Sequence, residues 1–367
     1  MKSLHDTARG SELADIADKV EAGERLSVHD GVRLFASRDL LALGALAHRA
    51  RLERHGRRAY YCVNTHINPS NICVNRCRFC AFSRSPGDPD AYALSLDEIL
   101  AKAEQAHADG TAELHIVGGL HPTLPFSYYV EMLSRLRERF PGVCLQAFTA
   151  VEIAHLAKIA GLSVRDTLVA LKEAGLSALP GGGAEVFSPR VRRALCPDKL
   201  PGDVWLEVMR TAHQLGIPSN ATMLYGHIET PLEAAEHLAR IRALQDDTGG
   251  FLAFIPLAFH PQHTALERDV PRETTGLADL RAIAAARLML DNVPHVKVFW
   301  IMTGVKLAQV ALSFGADDLD GTVVEEQITH SAGAATPQSL PAAGLEGLIT
   351  EAGFEPVRRD TLYRRIE

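Results

Sequence analysis

The chain of 367 residues is long enough for one large α/β barrel or two medium domains. Apolar residues make up 47% of it and charged residues 23%, which is typical of a globular protein and excludes disordered, collagen-like and disulfide-scaffold chains. The formal charge of −7 gives no bulk attraction for nucleic acid or for an anionic membrane surface. No window approaches the roughly 18 to 20 unbroken apolar residues of a membrane span, and acidic residues interrupt the N-terminal segment too often for a signal peptide. We therefore expect a cytoplasmic protein without nucleic-acid binding or membrane insertion.

Strand-like and helix-like segments alternate along the chain. The first 58 residues are expected to form two helices, the second beginning at Ser27, and later helices are expected to begin at Ser95, Ser163 and Thr230. Each of these caps has an acidic residue three positions on, which is typical of a helix start. The strand candidates follow at intervals of about 30 to 40 residues and cover 59–67, 113–118, 143–150, 176–180, 219–225, 252–259, 296–302 and 316–323.

This alternation predicts a single (β/α)8 TIM-type barrel with N-terminal helices and a C-terminal helical tail. We assign residues 1–58 to an N-terminal helical layer, 59–336 to the barrel, and 337–367 to a C-terminal helix and tail packed on the barrel. Barrel enzymes carry their chemistry at the C-terminal ends of the strands, so the residues just after each strand are the ones to examine.

Three of the six cysteines, Cys73, Cys77 and Cys80, lie in one loop after the first strand with the spacing C-x3-C-x2-C. Three thiolates this close in sequence can bind three irons of a [4Fe-4S] cube, which leaves the fourth iron open for another ligand. The amino and carboxylate groups of S-adenosylmethionine (SAM) suit that position, where an electron from the cluster can cleave the sulfonium and give a 5′-deoxyadenosyl radical.

Two other interpretations of these cysteines remain. A three-cysteine zinc site is one, although structural zinc usually has four ligands and no second C-x2-C pair lies nearby. Three unrelated structural cysteines are the other, since lone cysteines are often small buried apolar residues. A non-catalytic zinc-binding scaffold is therefore the alternative to an enzyme.

The cysteine spacing, with an aromatic residue just before the last cysteine, resembles the signature of the radical SAM superfamily. The resemblance implies that the three cysteines bind the cluster. It also extends to three glycine-rich or acidic segments. In the superfamily the segment after the second strand approaches the methionine amino group, the one after the fourth strand contacts SAM, and the one after the fifth strand flanks the adenine. The cofactor-binding residues implied in this way are Phe79, Gly118, Gly119, Glu185, Gly226 and Glu229.

Longer phrases at 66–84, 113–122, 147–152 and 314–326 resemble the aminodeoxyfutalosine synthase family of the futalosine route to menaquinone. This resemblance implies that the adenosyl radical adds to the enol ether of 3-[(1-carboxyvinyl)oxy]benzoate, with aryl migration and loss of the carboxyl group, to give aminodeoxyfutalosine. SAM would be a co-substrate, and flavodoxin or ferredoxin would donate the electron. The nearest cousins, dehypoxanthine futalosine cyclase and the deazaflavin (F0) synthases, would use the same cluster to abstract hydrogen.

A dicarboxylate substrate requires cations or hydrogen-bond donors at the strand ends. A histidine there is more often a packing residue than a ligand, so each candidate is a weak one. The pair His260 and His263 lacks nearby acids and does not predict a second metal. The candidate catalytic residues are His66, Asn68, Ser70, His121, His260, Lys306 and Asp320, and further candidates for binding or proton transfer are Arg84, His263, Glu325, Glu326 and His330.

Overall fold

Parallel strands form a closed barrel in the computed structural model, which describes residue 8 and residues 10–366. β2 to β5 form one sheet and β6 to β8 another, and parallel bridges join Leu179 to Ser219 and Lys297 to Asp318. A bridge from Thr65 to Val324 closes the ring. The strands are β1 (Arg58–Cys62), β2 (Asn64–Ile67), β3 (Glu113–Ile116), β4 (Cys144–Ala147), β5 (Leu176–Ala178), β6 (Ser219–Tyr225), β7 (Phe251–Ala258), β8 (His295–Val296), β9 (Asp318–Gly321) and β10 (Glu355–Arg359).

Helices surround the barrel and cover its N-terminal side, and several begin at the caps that the sequence predicts. The side chains of Ser27, Ser95, Ser163 and Thr230 each accept a hydrogen bond from the backbone three residues on. The helices are α1 (Ala14–Glu21), α2 (Val28–Ala36), α3 (Leu40–His55), α4 (Leu96–Ala108), α5 (Phe126–Arg139), α6 (Ala150–Ala160), α7 (Val164–Ala174), α8 (Pro189–Leu195), α9 (Gly202–Gln214), α10 (Pro231–Thr248), α11 (Gly276–Met289), α12 (Trp300–Thr303), α13 (Val305–Ala311), α14 (Ile328–Ser331) and α15 (Ala342–Glu351).

The predicted (β/α)8 barrel is confirmed, and several element bounds differ from the prediction. The predicted strand 59–67 is interrupted at Val63 and forms β1 and β2, and the predicted strand 143–150 ends at Ala147. The described part of the N-terminal layer contains α1, α2 and α3 rather than two helices. The predicted strand 296–302 is also shorter, because a short buried apolar run can form either structure: β8 ends at Val296, and α12 begins at Trp300. The C-terminal tail forms a strand, β10, which pairs in parallel with β1. The domain boundaries remain a prediction.

Buried ion pairs close the N-terminal end of the barrel and attach the C-terminal strand to it. Arg359 of β10 donates to the Asp318 carboxylate at 2.6 Å and to the backbone carbonyl of Asp320 at 3.1 Å. Next to them, the Asp317 carboxylate accepts hydrogen bonds from Arg287 and, at 2.6 Å, from His295. Each helix of the described chain is too short or too polar to span a bilayer.

Candidate functional site

A cavity of about 290 Å³ lies at the C-terminal end of the barrel. All of the barrel strands contribute to its wall, either from within the strand or from the residues that directly follow it. This is where a (β/α)8 barrel carries its functional residues. The contributing residues, in chain order, include His66, Val117, Thr149, Pro180, Thr222, Leu257, Phe299 and Asp320.

The three cysteines predicted to bind metal all line one end of this cavity. Their loop is held by backbone hydrogen bonds from Cys73 to Arg84 at 3.1 Å, from Val74 to Leu120 at 3.0 Å and from Arg78 to Leu195 at 2.7 Å. The loop therefore packs against the end of β3 on one side and the end of α8 on the other. The folded chain presents all of the cysteine thiols of the motif to one space.

Side chains that the sequence offered as substrate ligands hold this loop instead. Asn68 donates to the carbonyl of Val117 at 2.8 Å, and the Ser70 hydroxyl donates to the carbonyl of Tyr92 at 2.7 Å. The guanidinium of Arg84 donates to the carbonyl of Ala81 at 2.8 Å. None of Asn68, Ser70 and Arg84 lines the described cavity, so a direct contact between these residues and substrate remains a prediction.

The spacing of the thiols fits an iron–sulfur cluster better than a single zinc ion. Ligand atoms on one zinc lie within about 4 Å of one another, because each Zn–S bond is about 2.3 Å long. Within the described chain, three metal-ligating side-chain atoms come within 4.8 Å of one another only at His55, His295 and Asp317, at the opposite end of the barrel. The three cysteine thiols therefore do not all lie within 4.8 Å of one another, whereas three thiols on one zinc ion would.

A buried lysine sits beside the cysteines. Burial raises the pKa of the Cys77 thiol to about 12, and the nearby Lys199 ammonium opposes that rise. Burial by itself would lower the pKa of Lys199, but the Glu185 carboxylate and the thiols raise it above its usual value. Lys199 Nζ lies 2.6 Å from Glu185 Oε1 and 4.9 Å from the centre of the Phe79 ring. A permanent cation at this end favours the thiolate form that metal binding requires.

The double glycine after β3 lets the chain approach the cysteine loop closely. A Cβ atom on Gly119 would lie 2.2 Å from the carbonyl oxygen of Ile72, and one on Gly118 would lie 2.9 Å from that of Ser70. The backbone N–H of Gly118 donates to Glu152 Oε1 at 3.0 Å. Both glycines and Glu152 line the cavity, so this backbone is available to a ligand next to the cysteines.

Glu152 is a buried carboxyl group at the start of α6. It accepts a hydrogen bond from the backbone of Thr149 at 2.7 Å, which completes a capping box. Burial raises its pKa to about 7, although the hydrogen bonds from Thr149 and Gly118 lower it. The group is therefore poised to change its protonation near neutral pH.

Aromatic rings and carboxylates line the deeper part of the cavity. The His66 ring stacks on His115 with their centroids 4.3 Å apart and lies parallel to Phe299 at 6.5 Å. Asp320 is paired with Lys297 at 3.0 Å, and Glu326 is paired with His330 at 3.0 Å. His66, Asp320 and Glu326 were sequence candidates, and all of them line the cavity.

Glu185, Gly226 and Glu229 do not line the cavity themselves. Glu185 accepts a hydrogen bond from Lys199, which does line the cavity. Glu229 accepts hydrogen bonds from the backbone of Gly226 at 2.6 Å and of His227 at 2.9 Å. This arrangement forms a tight turn after β6. The contact of these residues with SAM remains a prediction.

The remaining sequence candidates lie outside the cavity lining. His121 accepts hydrogen bonds from the backbone of Thr123 and Leu124, and His260 Nε2 lies 3.0 Å from the carbonyl oxygen of Met302. Lys306 is exposed, as is Glu325, which pairs with Lys102 at 2.5 Å. His263 has a positive φ of 61° in its loop. Functional roles for these residues remain predictions.

Two residues of the cavity wall, Lys199 and Glu152, were not among the candidates predicted from the sequence. Lys199 lies in an irregular loop after α8 and carries no motif, so nothing in its surroundings in sequence pointed to it. Glu152 could have been found from its spacing, because Thr149 and Glu152 form a capping box directly after a barrel strand.

Comparison with known proteins supports the same picture. The Radical SAM superfamily model matches residues 67–241, and the CofH/MqnC C-terminal region model matches 248–367. Aminodeoxyfutalosine synthase of Thermus thermophilus is 49% identical, covering 98% of this chain and 97% of the relative. The enzyme of that name from Streptomyces coelicolor is 44% identical, covering 95% of this chain and 92% of the relative.

Other relatives and structures extend the comparison. A 5-amino-6-(D-ribitylamino)uracil–L-tyrosine 4-hydroxyphenyl transferase of Methanopyrus kandleri is 44% identical over 88% of each chain. Methylornithine synthase shares the fold at 20% identity, with a TM-score of 0.71 over 93% of this chain and 97% of that one. The hydrogenase maturase HydG shares the fold at 17% identity, with a TM-score of 0.74 over 96% of this chain and 78% of that one. The chain belongs to the radical SAM superfamily of enzymes, in the family that includes the aminodeoxyfutalosine synthases.

Proposed function

We propose that this chain is an aminodeoxyfutalosine synthase that uses SAM as a co-substrate. In the proposed reaction one electron cleaves SAM into methionine, which is released, and the 5′-deoxyadenosyl group, which is joined to the vinyl carbon of 3-[(1-carboxyvinyl)oxy]benzoate. The aryl group then migrates from oxygen to carbon, and the carboxyl group leaves as carbon dioxide while one electron is given up. The product, aminodeoxyfutalosine, enters menaquinone biosynthesis. The observation that carries the proposal is the 49% identity to an enzyme of that name over 98% of this chain.

Cys73, Cys77 and Cys80 are the residues that would hold the [4Fe-4S] cluster. The donor set fits this group, since three thiols line one cavity without all lying close enough together to share a single metal ion. When bound, the cluster and SAM supply a 5′-deoxyadenosyl radical. The chain's own part is to bind SAM in one orientation and to shield the reaction from solvent.

Lys199 and the Gly118–Glu152 contact are the groups that we assign to the methionine end of SAM. The Lys199 ammonium is a buried cation beside Cys77 and suits the methionine carboxylate. The Glu152 carboxyl accepts a hydrogen bond from the backbone N–H of Gly118. This carboxyl and the backbone beside Gly118 line the cavity and suit hydrogen bonding with the methionine amino group. Phe79, held by the cation–π contact with Lys199, lies near the adenine in this proposal.

The apolar wall of the cavity fits a reaction in which stray hydrogen donors must be kept away. The apolar lining residues include Val117, Ile255, Leu257, Phe299 and Met302. Such side chains exclude water and offer no exchangeable protons to a reactive carbon centre. They also provide an apolar surface for an aryl substrate.

A 4-hydroxyphenyl transferase that acts on tyrosine is the second candidate function. The observation that favours it is the 44% identity to the Methanopyrus kandleri enzyme over 88% of both chains. Hydrogen abstraction by the same cluster, as expected of the cyclase and F0-synthase cousins, would accompany this alternative. A zinc-binding scaffold is disfavoured by the thiol spacing.

Anaerobic incubation with competing substrates tests the proposal. Protein reconstituted with iron and sulfide is reduced with dithionite and given SAM, with either the enol ether or the pair of 5-amino-6-(D-ribitylamino)uracil and L-tyrosine. Mass analysis should find an adduct that contains the adenosyl group, formed only with the enol ether. Free 5′-deoxyadenosine as the main product, or turnover of the tyrosine pair, would contradict the proposal. Cys77→Ala is the control and should lack both the brown colour and turnover.

We also propose that flavodoxin or ferredoxin donates the electron and that the enzyme works in the cytoplasm. Dithionite replaces the donor in the assay above. Replacing dithionite by reduced flavodoxin or ferredoxin should then restore turnover, and failure of both proteins would contradict this part of the proposal.

A further inference from the structure

His66 is a buried histidine whose ring nitrogen Nε2 has no hydrogen-bond partner among the described residues. Its side chain belongs to a residue that is 6% exposed, and the buried Nε2 atom is unpartnered. Burial and the neighbouring His115 lower its pKa to about 3, so the imidazole is neutral. A buried polar group without a partner is costly, so an unpartnered group in a cavity wall calls for an explanation, and a bound ligand is one that would satisfy it.

The aromatic neighbours of His66 fix the orientation of its ring. His115 stacks on it at a centroid distance of 4.3 Å and an angle of 14°, and the Phe299 ring lies parallel within 9° at 6.5 Å. His115 is itself held by Gln146, whose Oε1 lies 3.1 Å from His115 Nδ1. Stacking contacts therefore hold the imidazole in place, and its Nε2 atom stays unpartnered among the described residues.

The place of His66 in the barrel separates it from the cysteine end of the cavity. It lies within β2, whereas the cysteines follow the C-terminal end of that strand, so the imidazole is deeper in the barrel. Two acidic residues, Asp320 and Glu326, lie close enough to His66 to influence its charge. Asp320 is paired with Lys297, and Glu326 is paired with His330. Their negative charge is thus balanced, and a ligand oxygen beside His66 is tolerated.

We propose that His66 determines specificity for the second substrate by binding an oxygen substituent of its aromatic ring, while the ring packs along the His66–Phe299 side of the cavity. This inference rests on the proposed function, in which an aryl compound is that substrate. It deepens that function by naming the residue that recognises the aryl group. The imidazole acts as a neutral hydrogen-bonding group and takes no part in radical formation.

A binding measurement without turnover tests the inference. The probe is 3-[(1-carboxyethyl)oxy]benzoate, the saturated ether, titrated calorimetrically into cluster-loaded protein with SAM present and no reductant. His66→Phe keeps an aromatic ring of similar size but removes both nitrogens, and should weaken probe binding about tenfold or more. Iron content and SAM affinity should be unchanged. His107→Phe, on the exposed face of α4, is the matched control and should bind like the wild type.

Probe binding by His66→Phe within twofold of the wild type would overturn the inference. If His66→Phe does not fold with a full cluster, His66→Gln and His66→Leu are compared instead. His66→Gln should then bind the probe at least about fivefold more tightly than His66→Leu, and equal affinities would overturn the inference.

The proposed function and the inference fail in different ways. If the wild-type protein binds L-tyrosine but not the ether, the proposed function is contradicted and the inference about His66 is not. The His66 variants would then be compared with tyrosine as the probe, and the same criteria would apply. Wild-type protein that binds neither aryl compound would overturn both.

Discussion

Lys199 and Glu185 form a buried ion pair at the cysteine end of the cavity, with Nζ 2.6 Å from Oε1. Glu185 has a positive φ of 48°, a backbone conformation that is uncommon for residues other than glycine. The pair therefore fixes a strained residue after β5 against the loop after α8. It also places a cation beside Cys77 and over the ring of Phe79. One ion pair thus organises the groups that we assign to SAM.

Lys199→Met should weaken SAM binding. The substitution removes the cation that we assign to the methionine carboxylate and leaves Glu185 buried without its partner, a situation that commonly costs about 3–5 kcal/mol. The KM for SAM should rise at least about tenfold while the iron content stays close to that of the wild type. Lys158→Met, at an exposed position on α6, is the control. Unchanged SAM affinity in Lys199→Met would show that the lysine has only a structural role.

Glu152→Gln should change how stability depends on pH. The pKa of Glu152 is raised to about 7 in the folded chain, above its usual value of 4.5, so the folded state holds a proton that the unfolded state releases. Its contribution to stability is therefore fully present below pH 4.5 and is lost as the pH rises through about 7. Relative to the glutamine variant, the wild type should lose up to about 3 kcal/mol between pH 5 and pH 8.

Urea unfolding of both proteins across this pH range measures the difference. The unfolding free energy of the wild type minus that of Glu152→Gln should fall from pH 5 to about pH 7 and level off above that pH. Parallel curves, with no change in the gap, would mean that Glu152 is ionised throughout and that its burial is compensated.

Gly119→Ala should displace the cysteine loop from its position against the segment after β3. The added Cβ would lie 2.2 Å from the carbonyl oxygen of Ile72, so the loop backbone must move. Overpacking of this kind costs about 1–3 kcal/mol, and it acts on the loop that carries the cluster ligands. Iron bound per chain after reconstitution should fall by at least about half. Gly142→Ala, where a Cβ meets nothing within 4 Å, should keep its full iron content.

Arg359→Met should destabilise the barrel from its N-terminal end. The guanidinium is buried and donates to Asp318 at 2.6 Å, so its removal leaves an unpaired carboxylate in the barrel. The free energy of unfolding should fall by about 3–5 kcal/mol. Arg365→Met, an exposed neighbour in the same tail, should change it by less than about 0.5 kcal/mol. Equal stability of the two variants would rule out a structural role for this ion pair.

The barrel and its cysteines could be predicted because their signals are local. Hydrophobic runs mark the strands, and the ligands lie within eight residues of one another, from Cys73 to Cys80. The predicted strand boundary near Val296 is wrong because the residues there are buried on every side, so their pattern does not distinguish a strand from a helix. The segment continues from the short strand β8 into α12. The C-terminal strand was missed because only its partner β1, far away in sequence, makes it a strand.

The rest of the site depends on contacts between distant segments. Lys199 acquires its place only when the loop after α8 packs against the cysteine loop, and the sequence around it carries no motif. His66 was one of many histidine candidates, and its lack of a hydrogen-bond partner could be seen only in three dimensions. The Asn68 amide donates to the carbonyl of Val117 and the Ser70 hydroxyl to that of Tyr92, and these contacts across the chain also cannot be read from the sequence.

The most direct test of the central claim is magnetic resonance on the reduced, reconstituted protein with SAM labelled in the methionine amino and carboxylate groups. We expect about four irons and four sulfides per chain, and a hyperfine coupling between the cluster and the labelled atoms. Cys77→Ala should lack the signal. Oxygen-free protein that retains neither iron nor acid-labile sulfide, or a cluster without coupling to the label, would contradict the account.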